Sequence, residues 1–97
     1  MARVRLSRLA DADLTEILAF GEKKFGRATA ESYFDSFENA FDLLARHPHL
    51  GARAFSGNSV TRVLHHRRHR IFYEAQEEGI LILRILHHAM DAGRRLT

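Results

Sequence analysis

The feature that most constrains this chain is a run of large apolar residues in its second quarter. Ala30, Tyr33, Phe34, Phe37, Ala40, Phe41 and Leu44 recur at intervals of three and four, with Glu31, Asp35, Glu38 and Asp42 between them. That spacing puts the first set on one face of a helix and the acids on the opposite face. So aromatic a stripe is expected to be core, with part of it open when no partner is bound. The residue before Pro48 is pushed out of helical conformation, so this helix must end near Arg46-His47. One apolar stripe needs another element to cover it. A chain of 97 residues has room for one such core and one domain, spanning 1–97.

The covering elements can be read on either side. Ala10, Leu14, Ile17, Leu18, Gly21 and Phe25 follow the same helical spacing, behind Ser7 as an N-cap and with Asp11 and Asp13 near the N-terminus. Gly26 is expected to close that helix in a left-handed conformation, and with so little spare chain the two helices form an antiparallel hairpin. Upstream, Arg3–Leu6 alternates as a short strand with Val4 and Leu6 on one face. Downstream, 49–59 holds Gly51, Gly57, Asn58 and two serines and reads as a loop. Three strands follow. Val60–His66 sets Thr61, Val63 and His65 against Val60, Arg62, Leu64 and His66. Arg70–Ala75 sets Ile71, Tyr73 and Ala75 against Arg70, Phe72 and Glu74. Ile80–Leu86 is nearly all apolar, as in a strand buried on both faces. Turns at His66-Arg67-Arg68 and Glu77-Glu78-Gly79 make these an antiparallel meander. The expected fold is α+β: a short N-terminal strand, a helical hairpin and a three-stranded meander. No internal repeat interrupts it.

Composition removes several functions. There is no cysteine, hence no disulfide framework, thiol nucleophile or cysteine–zinc site. The start, Met1-Ala2-Arg3-Val4-Arg5-Leu6-Ser7, carries charge where a signal peptide needs an apolar run. The longest apolar stretch, Ile80–Leu83, is far short of the roughly 20 residues that span a bilayer. A soluble, cytoplasmic protein is expected. Charge is uneven: residues 1–49 hold seven Lys/Arg against eight Asp/Glu, whereas 50–97 hold eight Arg against four acids, with five of the seven histidines. Arginine suits phosphate or carboxylate, so the second half reads as a surface for a polyanion or an acidic partner. A GC-rich genome would give the same arginine excess, and composition alone does not separate the two.

Specific strings lie along this arrangement. Leu6-Ser7-Arg8-Leu9-Ala10, then Asp13-Leu14 and Ile17, open the chain; Phe25-Gly26 marks the helix–helix turn; His47-Pro48-His49-Leu50-Gly51 follows the second helix. His69-Arg70-Ile71-Phe72-Tyr73 and Ile82-Leu83-Arg84-Ile85-Leu86-His87 sit in the last two strands, before Met90-Asp91. In this order and spacing they resemble the ParE branch of the RelE/ParE toxins over essentially the whole chain. The resemblance implies a toxin of a type II toxin–antitoxin system, of the kind tied to plasmid stabilisation. It also implies a ParD-like antitoxin wrapped around it in a hetero-oligomer, DNA gyrase as the inhibited target, and no catalysis or cofactor. RelE-branch relatives are instead ribosome-dependent mRNA endonucleases.

An RNA-cleaving alternative needs a group to take the 2′-hydroxyl proton, one to protonate the leaving oxygen, and cations for the phosphorane. Arg70 and His87 match positions some ribonuclease relatives use, with Arg84 and His88 to assist. Against it, the chain has no tyrosine after Tyr73, no lysine after Lys24 and no carboxylate between Asp42 and Glu74. Ribonuclease relatives usually carry such groups. Ten residues also continue past His87, as ParE-like chains tend to do.

The histidines at 65, 66, 69, 87 and 88 invite a metal, but adjacent strand residues face opposite ways and no zinc spacing is matched. Surface or turn histidines are expected, neutral wherever partly buried among arginines. A third reading is a non-toxic scaffold or nucleic-acid module, using Arg62, Arg67, Arg68, Arg70, Arg84, Arg94 and Arg95 on phosphates and Phe72 or Tyr73 for stacking. One of those rings must face the core, and RNA-module signatures are absent. Two surfaces are expected. An antitoxin helix lies beside the hairpin on Leu14, Leu18, Tyr33, Phe34 and Phe37, its acidic tail crossing the arginine-bearing sheet. The target is met by Arg62, Arg67, Arg70, Arg84, His87, Arg94 and Arg95.

Overall fold

In the computed structural model, which describes residues 3–55, 60–90 and 92–96, the elements run β1 (Arg3–Leu6), α1 (Arg8–Phe25), α2 (Arg27–Arg46), β2 (Ala52–Arg53), β3 (Thr61–His66), β4 (His69–Gln76), β5 (Gly79–His87) and α3 (Ala92–Leu96). Met1, Ala2, Ser56, Gly57, Asn58, Ser59, Asp91, Thr97 and the side chain of Arg94 lie outside the described residues. The sheet has five strands in the order β1-β5-β4-β3-β2, with β1 parallel to β5 and the other pairs antiparallel. Two elements go beyond those the sequence predicts. A two-residue strand, β2, lies inside the expected loop, and a short α3 follows β5. No described helix is long and apolar enough to cross a membrane.

One face of the sheet carries the hairpin. Phe37, Phe41 and Leu44 of α2 and Ala10 and Leu14 of α1 pack with Ile71, Tyr73, Ile80, Ile82 and Ile85 into the core, with Val4 and Leu6 at its side. Strict alternation along β5 would throw Ile85 to the face opposite Ile82. The register prevents this: Phe72 opposes Arg84 and Tyr73 opposes Ile82, so Leu83 is an extra, bulged residue and the alternation resets. Burial on both faces of β5 is therefore only partial, since Leu86 is buried on the far face while Leu81 and Leu83 are half-exposed.

The joint between β1 and α1 is built by Ser7. Its hydroxyl oxygen accepts from Ala10 N at 3.0 Å, capping α1, and its hydroxyl donates to the Leu83 carbonyl at 2.7 Å. One side chain thus starts the helix and hangs it on the sheet edge where β1 stops pairing. Gly26 joins the helices alone, at φ 91, ψ 163. That is an extended positive-φ conformation rather than the left-handed helical one expected, and it is open essentially to glycine only.

The loop after α2 is fixed by Tyr73, which is fully buried. Its hydroxyl donates to the Pro48 carbonyl and accepts from Gly51 N, both at 2.8 Å. A Cβ at Gly51 would lie 2.8 Å from that ring, so glycine lets the loop close on the tyrosine. Tyr73→Phe should cost about 2 kcal/mol, because it strands a donor and an acceptor in the interior. Urea denaturation checks this, and a loss below about 0.5 kcal/mol would contradict the assignment.

Candidate functional site

The sheet is shorter than the hairpin it supports. On α1 only Ala10 and Leu14 are buried, and on α2 nothing before Ala30. The end of the hairpin therefore overhangs, and beneath it a groove of about 1030 Å³ opens toward the β3–β4 turn and the end of β5. Ile17, Gly21, Ala30 and Ile85 line it along with Phe20, Phe25 and Met90. Those last three are 62%, 57% and 41% exposed, a concentration of apolar surface that marks a contact site. A Cβ on Gly21 would come within 3.2 Å of the Ala30 Cβ, so that glycine lets α1 and α2 close at the groove. Lys24 Nζ lies 5.6 Å and 6.0 Å from the Phe20 and Phe25 ring centres, bracketed by both rings.

Polar groups hold the groove's two ends. At one, Asp13 is locked to Arg84: Oδ2 accepts from Arg84 Nε at 2.9 Å and from Ile85 N at 2.9 Å, and Oδ1 accepts from Arg84 Nη2 at 3.0 Å. The two side chains are 11% and 15% exposed, and Arg84 Nη1 also donates to the Arg95 carbonyl. At the other end, the Tyr33 hydroxyl and His69 Nδ1 are 2.7 Å apart, and the Arg67 guanidinium lies 5.6 Å from the Tyr33 ring centre. Behind Tyr33, the Ser36 hydroxyl donates to the Tyr33 carbonyl. Its single proton is then spent, so its 2.7 Å contact to His66 Nε2 is a bond that the imidazole donates.

Burial disfavours charge on the rings at this end. It pushes the Tyr33 phenol up and the His66 imidazole down, with Arg67 adding to the latter. His69 is driven down to about 4, first by burial, then by His87, His66 and His88, with Asp13 opposing. An unfolded His69 takes its proton near 6.5, so between that pH and about 4 the unfolded chain binds more protons than the folded one. Stability then falls as the solution is acidified through this window. Because His69 is only half-buried, solvent screening trims the effect to about 1 kcal/mol between pH 7 and 5. Denaturant midpoints should fall accordingly, and His69→Gln, which keeps an acceptor for Tyr33, should flatten the dependence. Equal dependence in both proteins would refute it.

Several site residues expected from sequence are placed differently. Phe37 is fully buried and Leu14 is 6% exposed, so both are core and neither lines a docking surface. Leu18, Tyr33 and Phe34 are half-buried, and of the five only Tyr33 lines the groove. Arg84 is spent on Asp13. Arg70 Nη2 donates to the Met90 and His87 carbonyls, its guanidinium 5.4 Å from the Phe72 ring centre. Arg62 Nη1 donates to the Gly51 carbonyl at 2.8 Å. Each ties a loop or helix to the sheet. Arg67, Arg68 and Arg95 are exposed at the groove. Phe72 and Tyr73 are both buried, which leaves neither free to stack a base.

His66 and His69 are not surface histidines but partnered, half-buried ones, whereas His65 and His88 are exposed and His87 half-buried. Among the described residues no three His, Asp or Glu side chains converge as a metal would need. Sequence alone does not nominate Phe20, Lys24 or Met90. Only Phe20 leaves a trace there, as a large ring off the apolar face of α1.

Comparison with known proteins gives the chain's relatives. Residues 4–92 match the family model of the ParE toxin of the type II toxin–antitoxin system parDE. The chain is 30% identical to Toxin ParE1 of Caulobacter vibrioides over 96 residues, 99% of each chain. Among solved structures, the chromosomal ParDE system of P. aeruginosa superposes with a TM-score of 0.76 at 22% identity, over 90% of this chain and 96% of that one. The RelBE2 toxin–antitoxin complex of Mycobacterium tuberculosis does so at 0.60 and 26%, over 90% and 98%.

Proposed function

This chain belongs to the ParE toxin family of type II toxin–antitoxin systems, and we propose that it acts by protein contact rather than by catalysis. In this reading it inhibits DNA gyrase in the bacterial cytoplasm and is silenced by a ParD-like antitoxin. The observation that carries it is the overhanging groove, whose exposed Phe20, Phe25 and Met90 form a preformed seat for the apolar face of an amphipathic helix. Two of the three groups a ribonuclease would use are engaged elsewhere, Arg84 with Asp13 and Arg70 with main-chain carbonyls. That favours contact over RNA cleavage.

Two measurements test the reading. The purified chain should inhibit supercoiling by gyrase, and its expression without antitoxin should produce filaments and DNA-damage signalling. Rapid translation arrest with cleaved mRNA would instead establish the ribonuclease alternative, with Arg70, Arg84 and His87 as its first candidates. Phe20→Asp should weaken capture of the antitoxin encoded beside the toxin by about tenfold or more, since it withdraws a large apolar anchor. It should leave stability nearly unchanged, because that ring is 62% exposed. Unaltered capture would remove the groove from the interface.

A further inference from the structure

We infer that the groove selects its occupant by charge as well as by apolar fit: the partner is an amphipathic helix that lies between Phe20 and Met90 and sets an acidic C-terminal end on Arg67 and Arg68. This rests on the reading that the groove docks a partner helix, and adds which helix and which way round. The charged lining is unequal. Asp13 and Arg84 neutralise each other, which leaves Lys24, Arg67, Arg68 and Arg95 facing Glu16. The free cations are divided between the two sides. Arg67 and Arg68 form the β3–β4 turn beside Tyr33 on α2, with no acid in the groove lining on that side, whereas on the α1 and β5 side Glu16 offsets part of the charge of Lys24 and Arg95. A potential that changes along the groove fixes the direction of a polar occupant.

Arg67 and Arg68 are suited to this role. Both are exposed, and among the described residues no carboxylate pairs with either. Arg67 is the one non-glycine residue with positive φ among them, at 54; this conformation holds its guanidinium over the Tyr33 ring, at the mouth of the groove. A helix ends in unpaired carbonyls worth about half a negative charge, and acidic side chains in the last turn would add to it.

The test uses fluorescent helical peptides with one shared leucine ridge, carrying glutamates in the C-terminal turn, lysines there, or glutamates in the N-terminal turn. Anisotropy with the full chain at low salt should rank the first about tenfold or more tighter than the second, with the third between them. The preference should shrink at high salt and vanish or invert in an Arg67→Glu/Arg68→Glu chain, with Arg67→Gln and Arg68→Gln intermediate. Circular dichroism confirms that each variant is folded. Equal affinities that are still abolished by Phe20→Asp would overturn the charge selection while leaving groove docking intact. Failure of every peptide to bind, or binding indifferent to Phe20→Asp, would overturn the docking reading itself.

Discussion

Asp13→Ala is expected to destabilise the chain by about 3 kcal/mol, enough to lower the melting temperature of so small a domain by roughly 12–24 °C. The carboxylate is the only charge facing Arg84 within salt-bridge distance among the described residues, and it also accepts the Ile85 amide. Its loss strands a guanidinium whose side chain is 15% exposed together with a main-chain donor. A half-broken pair of this kind is costlier than no pair. The double variant Asp13→Leu/Arg84→Met should therefore be more stable than Asp13→Ala alone. Urea titrations of the singles and the double form the cycle that measures it. A loss below about 1 kcal/mol for Asp13→Ala would mean the pair is solvent-screened like a surface one. Function should follow stability here, because the same pair fixes α1 against β5 at one end of the groove.

The elements with strong periodicity are legible in the amino-acid sequence. Ser7, the α1–α2 boundary at Gly26 and the end of α2 at Arg46 fall where capping and proline chemistry put them. What is illegible there is non-local or too short to have a pattern. Two residues, Ala52 and Arg53, cannot show an alternation. The parallel pairing of β1 with β5 leaves no mark in either strand. Asp13 and Arg84 are 71 positions apart, so Asp13 reads only as a favourable charge near a helix start. The groove is half legible. The stripe places the hairpin against the sheet, but a stripe does not say how far along it the sheet extends. Leu14 and Phe37 fall under the sheet, and Phe20 and Phe25 beyond it. Several strings that carry the family resemblance turn out to be joints: Ser7 on Leu83, Pro48 and Gly51 on Tyr73, Asp13 on Arg84. A chain can share these joints whatever its target.

The two glycines that end and begin elements should respond very differently to alanine, and that contrast tests the account of β1. At Gly26 an added Cβ meets nothing within 4 Å, so the cost is only that of the positive φ, about 1–2 kcal/mol. At Gly79 it would overlap the main chain of Arg3, its register partner across the parallel β1–β5 ladder. A backbone neighbour cannot swing aside as a side-chain tip would. The Arg3 amide is meanwhile held by the Glu78 carbonyl at 2.9 Å. Gly79→Ala can be accommodated only by moving β1 off β5, at an expected cost of about 3 kcal/mol or more. That displacement would carry away Val4 and Leu6 from the core and Ser7 from the Leu83 carbonyl, releasing the start of α1 and with it the groove wall. Gly79→Ala should thus lower both stability and partner capture, with early hydrogen exchange at Arg5 and Ser7. Tyr73→Phe, acting at the far loop, should lower stability alone. Equal costs at the two glycines would show that β1 docks loosely and that the helical hairpin is positioned by α2 instead.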